Sequence, residues 1–368
     1  MSKKHGIGLA VALAAALAAA AARGESETLE GVTWSYDVES NGTATVTWAN
    51  PAVGEVTIPA SLGGHPVRRI GDGAFGGRGG MTAVAIPDGV TEIGGNAFNG
   101  CSGLTAVVVP DSVTSFGHYA FGQCTGLVEV ILGKGAQNFG EVVFRGCESL
   151  ERIEVAADNP NCESEDGVLF AKGKKTLLCC PGGKAGAYAI PEGVSDVGGC
   201  AFENCGKLSS VTIPGSVRTV GDFAFSGCGG LTGMDIPGGV KKIGMYAFYY
   251  CSALERVAIP ASVSEIGSGS FEGCGKLEEI HVAAGNAKYE TADGVLFSKR
   301  RQQLLRFPPG KAGAYSIPEG VTEIGGQAFS GCEGVTAVSI PGSVAKISGH
   351  AFYRCGGLAE VALANGVE

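Results

Sequence analysis

A phenylalanine recurs at every twenty-third position along most of this 368-residue chain. Two longer gaps, from Phe144 to Phe202 and from Phe271 to Phe329, are equal in length. The whole pattern is therefore itself repeated with a second spacing, the distance from Phe75 to Phe202, which we call the long period. A fixed period between about 20 and 50 residues is typical of a solenoid, in which each coil packs only against its neighbours. The shorter period therefore predicts one elongated domain. The ladder residues are Phe75, Phe98, Phe121, Phe144, Phe202, Phe225, Phe248, Phe271, Phe329 and Phe352.

Each unit carries the same residue types at the same distance from its ladder phenylalanine. After Phe202, Cys205 follows at three residues, Leu208 at six, and Val211 and Ile213 at nine and eleven. This alternation predicts a short strand with one buried face. The proline that follows has no amide donor and should end the strand. One unit then makes one coil, and the chain is expected to form a β-rich, right-handed solenoid with continuous internal columns of rings and sulfurs.

Cysteine usage follows the same spacing. Nine of the 13 cysteines lie three residues after a ladder phenylalanine. Thiols stacked in parallel do not converge, so free, buried thiols are expected at this position. The other four are not required by the repeat, because the later copy has different residues there. We hypothesise a disulfide between Cys162 and either Cys179 or Cys180. These four are Cys162, Cys179, Cys180 and Cys200, matched in the later copy by Tyr289, Arg306, Phe307 and Gln327.

The chain divides into three parts. Residues 1–22 are expected to be an export signal, because Lys3 and Lys4 precede an uncharged apolar run that is shorter than the roughly 20 residues of a membrane span. An uncleaved membrane anchor is the alternative. Residues 23–66 are expected to form an N-terminal cap with a hairpin at Asn41-Gly42. Residues 67–368 form the solenoid, with inserted hairpins at about 155–190 and 282–317 that should protrude from one face.

Several functions are disfavoured by composition and by the motifs. The formal charge of −9 argues against nucleic acid, which requires a basic surface. We expect no metal or cofactor, because no pair among the four off-phase cysteines has the two-to-four-residue spacing of zinc ligands and the acidic run at 158–166 suits a solvated turn better than a calcium site. We expect no catalytic residues, because the histidines show no repeated pairing with a nucleophile or carboxylate. The Gly71–Gly76 segment matches a nucleotide-binding pattern, but it is a repeat corner leading to a ladder phenylalanine. The mature chain is therefore expected to be a non-enzymatic protein without a transmembrane span.

The repeat resembles a known family. The pattern Val211-Thr212-Ile213-Pro214 with Phe225, Cys228 and Leu231 is similar to the BspA-like leucine-rich repeat, and the Asp-Gly-Val-Leu-Phe insert is similar to one in that family. The resemblance covers about residues 55–368. It implies a secreted or cell-surface protein with a role in adhesion to matrix proteins or other cells. The family has no catalytic residues that could be assigned here.

The outward strand positions, eight and ten residues after each ladder phenylalanine, are the expected binding face, because repeat proteins bind through extended surfaces. An extracellular protein or glycan is the expected partner, and the protein is expected to be a monomer. For any single residue, an ordinary solvated sheet face is an open alternative. At the level of function, the alternatives are an accessory or scaffold domain of an extracellular enzyme system and a surface scaffold without a ligand. The candidate residues are Glu129, Arg152, Glu154, Arg256, Glu279 and His281.

Overall fold

The computed structural model describes residues 24–365, and the expected export signal lies outside these residues. The described chain is a β-solenoid whose complete coils each contribute one long strand and one strand of two residues. Most strands of successive coils within a block pair in parallel one repeat apart, as in Ser115 with Asn138 and Glu129 with Arg152. The long strands and the two-residue strands form two separate sets of sheets, which enclose the apolar core.

The N-terminal block begins with an antiparallel hairpin and continues into the first coils. The second and third strands flank Asn41-Gly42. The third strand pairs in parallel with the strand His65–Ile70, which belongs to the same sheet as the first two-residue strands. The strands of this block are β1 (Glu25–Leu29), β2 (Val32–Val38), β3 (Ala44–Asn50), β4 (Gly54–Thr57), β5 (Ser61–Leu62), β6 (His65–Ile70), β7 (Met81–Ala85), β8 (Glu92–Ile93), β9 (Ala106–Val109), β10 (Ser115–Phe116), β11 (Glu129–Leu132), β12 (Asn138–Phe139) and β13 (Arg152–Val155).

The first insert consists of three antiparallel strands, and the middle block follows it. The third strand of the insert pairs in parallel with the next coil, so the insert is continuous with the sheet of the middle block. The insert strands are β14 (Cys162–Glu165), β15 (Val168–Ala171) and β16 (Thr176–Cys179); the block strands are β17 (Gly186–Ala189), β18 (Asp196–Val197), β19 (Leu208–Thr212), β20 (Thr219–Val220), β21 (Gly233–Asp235), β22 (Lys242–Ile243), β23 (Arg256–Ile259), β24 (Glu265–Ile266) and β25 (Glu279–Val282).

The second insert repeats the topology of the first and leads into the C-terminal block. A three-residue 3₁₀ helix, Lys299–Arg301, separates its second and third strands, and no helix within residues 24–365 is long and apolar enough to cross a membrane. The insert strands are β26 (Tyr289–Ala292), β27 (Val295–Ser298) and β28 (Gln303–Arg306); the block strands are β29 (Gly313–Ser316), β30 (Glu323–Ile324), β31 (Val335–Ile340), β32 (Lys346–Ile347) and β33 (Glu360–Leu363).

The inserts do not protrude as the sequence predicted; their apolar strands are buried between blocks. Leu169 of β15 packs in the core of the N-terminal block, whereas its neighbours Val168 and Phe170 pack in the core of the middle block. Side chains alternate in direction along a strand, so an unbroken apolar run can bury both faces. β27 is buried in the same way, and the described part of the solenoid therefore has three hydrophobic cores.

The ladder phenylalanines stack within each block. Adjacent ring centroids are 5.0, 5.1 and 5.8 Å apart in the N-terminal block and 4.8, 5.3 and 5.6 Å apart in the middle block. The prediction of continuous columns was wrong at the inserts, because buried insert strands separate the blocks. In the second insert, Phe307 extends the next column by stacking on Phe329 at 5.0 Å. Cys180 has the equivalent position in the first insert and contributes no ring.

The repeated cysteines have a hydrogen-bonding role in addition to packing. In most coils the thiol donates to the carbonyl of the ladder phenylalanine one coil earlier, as Cys228 Sγ does to the Phe202 oxygen at 3.0 Å. All 13 cysteines are free. The hypothesised disulfide of Cys162 with Cys179 or Cys180 is not formed, because β15 lies between β14 and β16 and two strand spacings exceed disulfide reach.

The first unit has Arg78 at the cysteine position, and the structure explains the departure. The coil before this unit has no ladder phenylalanine, so Arg78 faces the N-terminal hairpin instead of a phenylalanine carbonyl. The Arg78 guanidinium lies 3.9 Å from the centroid of the Trp48 ring, and its Nη2 donates to the Ala49 carbonyl oxygen at 3.0 Å. Arg78 therefore closes the end of the repeat array against the hairpin.

Candidate functional site

The six predicted binding-face residues lie on the outward side of the long strands and form two groups. Glu129 and Arg152 are direct neighbours on β11 and β13, and Arg152 Nε lies 2.6 Å from Glu129 Oε1. Arg256 and Glu279 are opposite each other on β23 and β25. Glu154 completes the first group, which immediately precedes the first insert, and His281 completes the second group, which immediately precedes the second insert. The structure therefore does not join the six residues into one continuous surface.

An open groove of about 1020 Å³ lies between β25 and the second insert. Glu279 and His281 line it, so two of the six predicted residues share a concavity with the insert. The insert contributes Asp293, whose Oδ2 lies 3.0 Å from Lys311 Nζ. The groove contains charges of both signs, and such exposed pairs are screened by solvent and contribute little to stability.

A second surface, which we call the aromatic cluster, was not foreseen from the sequence. Its rings lie on coils of both the middle and the C-terminal blocks. Phe223 and Tyr246 stack at 5.1 Å, and Tyr249 meets Tyr250 edge to face at 4.5 Å. Part of the cluster lines an open cavity of about 440 Å³ with Glu272. The aromatic cluster comprises Phe223, Tyr246, Tyr249, Tyr250, His350 and Tyr353.

Several residues of the aromatic cluster have a left-handed backbone. The φ angles are 56° at Phe223, 53° at Tyr246, 54° at Tyr250 and 58° at His350. Other coils place glycine at the equivalent corners, for example Gly269. A bulky residue in this region costs on the order of 1 kcal/mol relative to glycine. The sequence signal was partial: these four residues lie two positions before or after a ladder phenylalanine, and glycine occupies six of the ten later positions but two of the ten earlier ones.

The first insert borders a partly enclosed cleft of about 350 Å³, which we call the first cleft. Glu203 lines it with a side chain that is only 5% exposed. Its Oε1 lies 3.2 Å from Arg145 Nη2, while its Oε2 is buried without a hydrogen-bond partner among the described residues. Burial raises the pKa of Glu203, whereas the nearby Arg145 and a weak hydrogen bond from the Cys200 thiol to this carboxylate oppose that shift. A buried carboxylate oxygen without a donor is costly and therefore suggests a missing partner.

Four cysteines lie on the wall of the first cleft, and one of them, Cys147, is a buried cysteine of the repeat. Cys179 and Cys200 are partly exposed there, and Cys180 is buried. Burial, followed by the charge of Glu203, raises the pKa of Cys200 to about 12. A thiol with so high a pKa is almost entirely protonated at neutral pH, so it is a weak nucleophile. Among the described residues, no cluster of His, Cys, Asp or Glu has the geometry of a metal site.

Comparison with protein families agrees with the repeat geometry. A sequence model of the BspA-type leucine-rich repeat region matches six copies over residues 49–165, 184–293 and 311–368. The chain belongs to this family. The BspA-type repeat accounts for both strand sets, the ladder and the matched residues on either side of each insert. A comparison with curated protein sequences finds no match.

Two solved structures share the fold of this BspA-type chain, and a third is similar to it in sequence. The pneumococcal vaccine antigen PcpA is 18% identical, with a TM-score of 0.53 over 93% of this chain and 99% of that chain. A leucine-rich repeat protein from Bacteroides ovatus is 22% identical, with a TM-score of 0.51 over 91% of this chain and 94% of that chain. A leucine-rich cell surface protein from Faecalibacterium prausnitzii is 24% identical, with a TM-score of 0.45 over 93% and 77% of the two chains.

Proposed function

We propose that this chain is an exported, non-catalytic repeat protein that binds a protein or glycan ligand at the cell surface, and that the aromatic cluster is its main contact surface. Membership in the BspA-type family supports the general role. The exposed rings of the aromatic cluster are the observation that carries the assignment. The export signal expected in residues 1–22 supports a secreted or surface location, and we propose that the protein acts as a monomer.

The aromatic cluster contains side chains that the fold does not require. Tyr250 is 45% exposed and Tyr353 is 47% exposed, so neither ring serves mainly to fill the core. Arg354 donates from Nη1 to the Tyr250 hydroxyl at 3.1 Å, which holds the two coils' aromatic groups together. Tyrosine and arginine are the residues most enriched where binding energy concentrates. Rings placed at strained corners and left open to solvent therefore favour recognition over stability.

Binding to panels of immobilised extracellular-matrix proteins and glycans tests the proposal. The variant Tyr250→Ala/Tyr353→Ala should weaken binding at least tenfold, because removing a central aromatic contact typically costs about 2 kcal/mol or more. Gln123→Ala is the matched control, since Gln123 has the equivalent corner position one long period earlier and the same left-handed backbone. Circular dichroism should show that both variants keep the fold.

Two results would overturn the assignment. If wild-type protein bound neither panel, the adhesion role would fail and a scaffold without a ligand would explain the chain better. If binding persisted in the tyrosine variant but was lost in Glu279→Ala/His281→Ala, the long-strand face would be the contact surface instead. Fractionation of producing cells, with N-terminal sequencing of the exported protein, tests the location independently.

A further inference from the structure

We propose that the first cleft binds a guanidinium group carried on a short apolar stem. The chain carries a duplicate of this cleft. The second insert borders an equivalent cleft of about 400 Å³, with lining residues one long period later. In that second cleft a side chain of the protein supplies the guanidinium. In the first cleft a small residue stands at the same position, while acceptors remain.

The resident group of the second cleft is Arg306, which is 5% exposed. Its Nη1 donates to the carbonyl oxygen of Gln327 at 2.7 Å. Its Nη2 donates to the carbonyl oxygens of Phe271 and Ser330, at 3.1 and 2.9 Å. The guanidinium thus joins a coil that precedes the insert to a coil that follows it. A planar cation with several donors in fixed directions suits such a set of oxygens.

The first cleft has the same framework without this cation. Cys179 has the position of Arg306, and the carbonyls of Phe144, Cys200 and Glu203 have those of Phe271, Gln327 and Ser330. The first cleft also extends to residues whose equivalents do not line the second one, including Cys147, Cys180 and Glu203. We attribute the contact of the first cleft with these three residues to the loss of the arginine side chain. The cleft therefore contains room at the place where its duplicate holds a guanidinium.

Charge and polarity favour the same class of ligand. Among the described residues that line the first cleft, the glutamates Glu141, Glu148 and Glu203 outnumber the cation Arg145, so the lining is net negative. Glu203 has no counterpart in the second cleft, where Ser330 stands, and its Oε2 lacks a donor within the described chain. Leu169 and Leu178 provide apolar wall for a short stem. An ammonium group is a compact point charge and would match the separated oxygens less well.

Titration calorimetry with three probes tests the proposal: n-butylguanidinium, N-acetyl-arginine N-methylamide and n-butylammonium. The first two distinguish a free small molecule from an arginine side chain of a peptide, and the third controls for charge alone. We expect one site per chain, with guanidinium preferred over ammonium. Glu203→Gln keeps the shape of the side chain and should weaken binding by about tenfold to a hundredfold, since hydrogen bonds to a charged group are strong.

Filling the first cleft provides the complementary variant. Cys179→Arg reproduces the second cleft and should abolish binding. Arg306→Ala should lower the melting temperature, and n-butylguanidinium should restore part of that loss, whereas n-butylammonium should not. If Cys179→Arg fails to fold, Glu203→Gln carries the test. The proposal is overturned if wild-type protein shows no saturable binding at millimolar probe, if neither first-cleft variant weakens it, or if ammonium binds equally well.

Discussion

Replacing Phe225 with alanine removes one ring from the centre of a column. The ring is fully buried and lies 4.8 Å from Phe202 and 5.3 Å from Phe248, nearly parallel to both. A coil cannot compensate for the loss by itself, because its core contacts come from the coils on either side. Large-to-small replacement of a buried phenylalanine costs about 3–5 kcal/mol when the cavity does not collapse.

The final ring of the ladder is the matched control. Phe352 is only partly buried and, within residues 24–365, stacks on one ring, that of Phe329, at 4.9 Å. Phe352→Ala should therefore lower the free energy of unfolding by about 1–2 kcal/mol, consistent with the smaller area removed from contact. Urea denaturation followed by far-ultraviolet circular dichroism would measure both variants. Equal losses, or a loss below about 1 kcal/mol for Phe225→Ala, would refute the stacked-column account.

Three further changes test other parts of the structure. In the native protein, alkylation of Cys200 should accelerate about tenfold per pH unit from pH 8 to 11, because its pKa is about 12 and the thiolate is the nucleophile; a plateau near pH 9 would contradict its burial. Leu169→Ala should cost about 2–4 kcal/mol if β15 is buried between blocks, and under about 0.5 kcal/mol if the insert protruded. Arg78→Ala should lower stability by about 1–2 kcal/mol through loss of its contacts with Trp48 and Ala49, whereas Arg78→Lys should retain part of the effect; urea denaturation measures both.

The repeat was predictable because each residue type has one task in every coil. The spacing of Phe202, Cys205 and Val211 identified buried ring, thiol and strand, and the BspA-type repeat was recognised from the same positions. The packing of the inserts was not predictable in the same way. Hairpin signals describe a local turn, whereas the burial of Val168, Leu169 and Phe170 on both faces of β15 depends on two blocks that meet there.

The surfaces that we propose as binding sites arise from departures from the repeat. Periodicity identified which strand positions face outward, but it could not show that Tyr250 meets Arg354 from a coil 104 residues later. The differences between Cys179 and Arg306 were visible in the sequence, yet their meaning depended on the three carbonyls that surround the guanidinium. Such acceptors belong to the backbone and leave no pattern in the side chains.

Backbone hydrogen exchange at the ladder phenylalanines tests the interrupted stack most directly. The amide of Phe121 donates to the carbonyl oxygen of Val143 at 3.0 Å, and the amide of Phe248 donates to the carbonyl oxygen of Ser270 at 2.9 Å. The amides of Phe144 and Phe271, the last rings before the two inserts, have no backbone acceptor within residues 24–365. We predict that the amides of Phe144 and Phe271 exchange at least about tenfold faster than those of Phe121 and Phe248, because exchange follows the local free energy of opening. Equal protection at all four would contradict a solenoid divided at its inserts.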